Sequence, residues 1–149
     1  FTKALAQRLN ELCKPKVVEA ADGDALTRGV VYISPGGMQT RVTAGGIRVS
    51  ADQGESLYKP SVDVLAESAR SAFGKNILGV MLTGMGADGA SEFVKLKKLG
   101  GHIIAQDQAS CVVYGMPRAV AEAGLVDVVG PLETIAVRIN ESLLVGASA

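Results

Sequence analysis

The residues Gly84-Met85-Gly86-Ala87-Asp88-Gly89 close the apolar run Ile77–Thr83 and hand the chain to a helical pattern beginning at Ser91. Three glycines and one carboxylate at such a turn set an acid at the mouth of a helix N-terminus, beside the carboxyl end of a buried strand. Open α/β sheets put their chemistry at that end. Helix N–H groups stabilise the charged form of Asp88. An ionised carboxylate in a cleft fixes the tautomer of a histidine and stabilises the imidazolium formed during acyl transfer. The neighbouring glycines leave backbone N–H groups uncovered, which suits an oxyanion hole. Met85 N–H is the candidate donor.

Two other readings compete on the same residues. Gly84, Gly86 and Gly89 satisfy the G-x-G-x-x-G pattern of a Rossmann-like nucleotide-binding module, with Asp107 as an acid near the end of the next strand. Asp88 weighs against it, because its carboxylate enters the volume where a helix N-terminus receives a pyrophosphate. Two anions about 4 Å apart repel by ~1 kcal/mol in water and by more in a closed site. The plainer alternative is a tight turn with Asp88 as a helix cap, worth about 1 kcal/mol. A non-catalytic docking domain would need nothing more.

These residues need a scaffold, and the pattern around them describes one. Thr2–Leu12 has helical spacing, with Thr2 as N-cap. Val17-Val18 reads as a short strand and Asp22-Gly23-Asp24 as a turn. Gly29–Pro35 and Arg41–Ser50 are β-branched runs that together read as an antiparallel hairpin or meander, with Ala44-Gly45-Gly46 as a turn. Ser61 caps a helix running to about Phe73, with Asp63 in its first turn, Val62, Leu65 and Ala69 inward, and Gly74 closing it. Then strand and helix alternate: strand 77–83, helix 91–99, strand 102–106, a helix opened by Pro117, strand Val126–Val129 and helix Leu132–Leu144. Strand, crossover helix and strand imply parallel pairing. The expected fold is α/β, a doubly wound, mostly parallel sheet flanked by helices, with an antiparallel hairpin at one edge.

The 149 residues suit one domain. Fifteen Lys plus Arg balance fifteen Asp plus Glu, so no global field points to nucleic acid. No apolar run approaches the ~18–20 residues that span a bilayer, so no membrane insertion is expected. Cys13 and Cys111 match no metal or redox spacing and read as reduced thiols, consistent with a cytoplasmic setting. The start, Phe1-Thr2-Lys3, has no initiator Met or signal segment, which reads as part of a longer chain.

With its neighbours, Leu82-Thr83-Gly84-Met85-Gly86-Ala87-Asp88-Gly89-Ala90 resembles the signature of the chemotaxis protein-glutamate methylesterase (CheB-type) catalytic domain. Four other blocks look like that family in the same order: Phe1-Thr2 with Arg8-Leu9-Asn10; Glu19–Asp24; Pro60–Leu65; and Ala105-Gln106-Asp107 followed by Val112–Pro117. The resemblance implies hydrolysis of glutamate methyl esters, and deamidation of certain glutamines, on the cytoplasmic helices of methyl-accepting chemotaxis receptors. It implies a Ser-His-Asp triad, no cofactor, and control by an N-terminal phosphoacceptor (receiver) domain. Asp88 falls on the triad acid and Met85 on the residue associated with the oxyanion site. In the family the Ser and His precede the Phe-Thr block, so residues 1–149 are expected to lack both and to be inactive alone.

No other residue replaces them. His102 is the chain's one histidine and reads as a strand residue. Ser34 and Ser110 read as turn residues. Gly37 stands where members often carry a histidine before the Met. Lys95, Lys97 and Lys98 read as a solvated helix face. Asp107 reads equally as a turn cap or a cleft residue. Tyr114 and Met116 read as walls of a receptor-helix groove or as core, and Arg118 as a candidate for a ligand or an ion pair.

Overall fold

The computed structural model describes residues 1–51 and 56–147, in two compact units, Phe1–Ala72 and Phe73–Ala149.

In the first unit, α1 (Thr2–Leu12) buries Ala6 and packs on β1 (Lys16–Glu19) and β2 (Val30–Ile33). Thr2 is not the cap: Phe1 holds that position without a side-chain bond. The Thr2 hydroxyl instead donates to Glu19 Oε1 (2.6 Å) and accepts from Gly36 N–H (3.0 Å). Cross-element bonds thus outcompete the local one.

The expected pairing of Gly29–Pro35 with Arg41–Ser50 does not form. β2 pairs in parallel with β1. The second run folds on itself as β3 (Gln39–Thr43) and β4 (Gly46–Ser50), antiparallel across the Ala44-Gly45 turn. A two-residue turn closes strands with little loop entropy, so the run satisfies its own ladder. This antiparallel pair is a separate two-stranded sheet. The Asp22–Asp24 turn is present, with Asp24 Oδ2 accepting from Ala21 N–H (2.8 Å). Ser61 caps α2 (Val62–Phe73) as its position predicts, accepting from Val64 N–H at 3.4 Å. Val62, Leu65 and Ala69 are half-buried, and α2 has no fully buried residue.

The second unit keeps the strand-helix alternation. β5 (Leu78–Met81), β6 (His102–Gln106) and β7 (Val128–Gly130) form a parallel sheet in that order. They are linked through α3 (Ala90–Lys98) and α4 (Met116–Glu122), and α5 (Leu132–Ala147) follows β7. Ile103, Ile104 and Ala105 are wholly buried and Gln106 nearly so. Successive side chains on a strand point to opposite faces, so β6 is covered on both, as a doubly wound sheet requires. α3 and α4 pack on each other and on β6, while α5 packs on β6 and β7. Gly79 brings α3 close to β5: a Cβ there would lie 2.8 Å from the Phe93 ring. No helix among the described residues is long and apolar enough to cross a membrane.

Candidate active site

Past Met81 the chain turns through Leu82–Gly89 and enters α3 with Gly89, at φ +93°, as its N-cap. Asp88 therefore stands one residue before the cap rather than on it. It is half-buried. Among the described residues, no hydrogen bond engages the N–H groups of Met85, Gly86 or Ala87. The Met85 side chain is 84% exposed. Uncovered donors and a partly buried acid thus share one loop at the carboxyl end of the sheet.

A second loop, Asp107–Gly115, is laced to the first. Gly84 and Tyr114 form a parallel bridge, with Gly84 N–H donating to Val113 O (3.1 Å). Gly84 O accepts from Gly115 N–H (3.1 Å) and Met116 N–H (2.9 Å). The Thr83 hydroxyl donates to Val113 O (3.0 Å) and accepts from Val113 N–H (2.9 Å). The glycines permit this approach. A Cβ on Gly84 would meet Met116 Sδ at 2.5 Å, and one on Gly115 would meet Gly84 O at 2.7 Å and Gly86 N at 3.0 Å.

Gln106, which sequence reasoning did not single out, joins the two loops from beneath. Only 1% exposed, it accepts from Thr83 N–H through Oε1 (2.8 Å). Its Nε2 donates to Ser110 O (2.9 Å) and Ser110 Oγ (3.2 Å). Asp107 is a turn cap, accepting from Ser110 N–H (2.9 Å) and Oγ–H (2.7 Å). Ser110 Oγ also accepts from Leu132 N–H (3.1 Å). Ser110 is thus committed to the loop, and Met116 is the packing residue beneath Gly84.

His102 lies at the amino end of β6, in register with Leu78. Gln106 ends that strand four residues on, about 13 Å away, so the histidine sits at the end of the sheet opposite Asp88. Its Nδ1 is 3.5 Å from Asp127 Oδ2. Asp127 also pairs with Lys97 and accepts from Ile103 N–H (2.8 Å). Burial alone would raise the Asp127 carboxyl. The Lys97 hydrogen bond, the Ile103 N–H and the charges of His102 and Lys97 together outweigh it and hold the group below the usual aspartate value. A depression of about 410 Å³, lined by Lys75, Leu78, His102 and Leu143 among others, also opens at this end, away from Asp88.

Lys95 and Lys98 lie exposed on the basic helix face, as their pattern predicts, and Lys97 departs from it. Lys97 is half-buried against Asp127, and Lys95 pairs with Glu92, whose side chain is 6% exposed. Arg118 makes an exposed ion pair with Glu122 at 3.7 Å. Ser34 lies in the loop after β2. Gly37, at φ +79°, occupies a left-handed conformation that side chains resist.

The sequence model of the CheB methylesterase family matches residues 1–139. The chain belongs to that family. A protein-glutamate methylesterase/protein-glutamine glutaminase of Saccharophagus degradans is 53% identical over 91% of this chain and 38% of its own length. Its counterpart in Vibrio parahaemolyticus is 51% identical over 93% of this chain and 38% of its own. The chain thus spans about two fifths of the length of these relatives. The crystal structure of the Thermotoga maritima CheB methylesterase catalytic domain superposes with a TM-score of 0.86 at 36% identity, over 95% of this chain and 77% of that one. The α/β architecture of the CheB methylesterase domain is therefore shared. Residues 1–149 hold the laced pair of loops, with Asp88 half-buried beside the N–H groups of Met85, Gly86 and Ala87.

Proposed function

We propose that this chain is the portion of a chemotaxis methylesterase that supplies the triad acid and part of the oxyanion site. The reaction is hydrolysis of glutamate methyl esters, and deamidation of specific glutamines, on the cytoplasmic helices of methyl-accepting chemotaxis receptors. The observation that carries this reading is the Met85–Asp88 loop: unbonded N–H groups and a half-buried carboxylate beyond the end of β5, in a chain of this family.

A serine and a histidine are assigned to polypeptide preceding Phe1, with a receiver domain before them. Asp88 accepts the Nδ1–H of that histidine and stabilises the imidazolium formed when it takes the serine proton. Met85 N–H donates to the oxyanion as the ester carbonyl becomes tetrahedral; methanol then leaves, and water releases the glutamate. With the amide the serine takes the same route, ammonia leaves in place of methanol, and water again releases the glutamate. No cofactor is needed. The nucleotide-binding alternative loses part of its support, because close packing against Met116 already accounts for Gly84, the first of the loop glycines.

The test is methanol release from methylated receptor. Residues 1–149 alone should release none above background. The full-length protein should turn over. Robust turnover by residues 1–149 would refute the division of the triad.

A further inference from the structure

We infer that Gln106 is a positioning residue for the reaction, holding the Met85–Asp88 loop in its catalytic geometry through the Thr83 amide. This inference rests on the esterase reading above.

Gln106 ends β6 in register with Gly130 of β7, one residue past the last β5 pair at Ala105, and is 1% exposed. From that base the amide reaches both loops at once. Oε1 takes the Thr83 N–H, and Nε2 gives hydrogens to Ser110 O and Oγ. A planar amide with one acceptor and two donors fits because one loop offers a donor and the other offers acceptors. The Thr83 N–H is where β5 has ended and its ladder no longer fixes the chain. Gly84 is then held by Val113, and the next N–H is Met85. Two peptide units separate the Gln106 anchor from the proposed oxyanion donor, and five residues separate it from Asp88. A tether that short transmits its position, and displacement of reacting groups by about 1 Å costs on the order of 10²-fold in rate.

The choice of a neutral amide carries a second consequence. Gln106→Glu preserves shape and the acceptor to Thr83, but an ionised carboxylate there faces the Ser110 carbonyl with no hydrogen to give. Protonation restores one donor. The ratio of variant to wild-type activity should therefore rise as the pH falls, while both proteins lose the histidine base on acidification.

The experiment uses the full-length protein, with kcat and KM for methanol release from methylated receptor. Gln106→Leu should lower kcat by about 10- to 100-fold with KM within about threefold. Gln106→Glu should show that acid-side rise in the ratio to wild type. Thermal unfolding must show both variants folded at the assay temperature; if Gln106→Leu is not, Gln106→Glu alone decides. Asp88→Asn serves as the reference. If Asp88→Asn abolishes turnover while a folded Gln106 variant keeps kcat within threefold and a wild-type pH profile, the positioning role is overturned and the esterase reading stands. If Asp88→Asn keeps wild-type kcat, both are overturned.

Discussion

The two ends of the β5–β6–β7 sheet solve the same mechanical problem with opposite chemistry. Each uses one side chain to seize a backbone N–H of a neighbouring strand or its extension. At the amino end, Asp127 takes Ile103 N–H and gathers Lys97 and His102 around its charge. At the carboxyl end, Gln106 takes Thr83 N–H and gathers Ser110. The first clamp is ionic and answered on the spot by the Lys97 ammonium. The second is neutral, and it places no formal charge on the tether beneath Asp88. A charged tether there would add its own field to the one that Asp88 supplies in the proposed reaction. The amino end is thus built to hold, and the carboxyl end to hold without interfering.

The sharpest way to break this contrast is at Asp88. In the full-length protein, Asp88→Asn should lower kcat for methanol release by about 10⁴-fold through the wrong histidine tautomer, with the fold unchanged by circular dichroism. A loss below tenfold would remove Asp88 from the mechanism. Next comes Gly115→Ala. Its Cβ would lie 2.7 Å from Gly84 O and 3.0 Å from Gly86 N, both backbone atoms that yield only if the site loop moves. We expect kcat to fall about 10²-fold and stability by about 1–3 kcal/mol. At the amino end, an added Cβ on Gly100 meets only Lys75 Cδ, at 3.9 Å. Gly100→Ala, strained by φ +91°, should cost stability and leave kcat within twofold.

The same two ends show what the chain's pattern exposes and what it hides. The alternation of strand and helix after Ile77 and the helix-opening Pro117 are local signals, and they located every element of the second unit to within a few residues. The glycine loop was legible because its composition is odd for a strand-to-helix turn. Partner choice was not legible. Thr2 prefers Glu19 and Gly36 to its own helix, and Val30–Ile33 prefers β1 to the nearer hairpin. Both outcomes are settled by contacts distant in sequence. Gln106 and Asp127 were missed for the same reason: each sits in or beside an apolar strand, and its partners lie up to 30 residues away. A buried polar residue in an otherwise apolar strand is the signal that points to such clamps.

Asp127 tests the ionic half of the comparison. Asp127→Ala leaves Lys97 and the Ile103 N–H without their partner and should cost about 1–3 kcal/mol in urea unfolding at neutral pH, with kcat unchanged. Because the folded-state carboxyl is held below the usual aspartate value, its contribution is complete above about pH 4 and is lost as the pH falls through the lowered folded value. Wild type should therefore lose part of its stability below about pH 4 that Asp127→Asn never had. Parallel stability curves for the two proteins across that window would show that the clamp stores nothing in the charge.

The smallest effect is expected at Met85, and it is the most discriminating for the neutral end. In the proposed reaction the oxyanion contribution belongs to the backbone N–H, whereas Met85 is 84% exposed and its side chain has no hydrogen bond among the described residues. Met85→Ala should therefore leave kcat within about twofold, because truncation keeps the donor and its geometry, while any contact of the thioether with the receptor appears in KM alone. A tenfold loss in kcat at constant KM would mean that the side chain itself acts in the transition state. The loop would then owe its chemistry to something other than the peptide that Gln106 and Val113 hold in place.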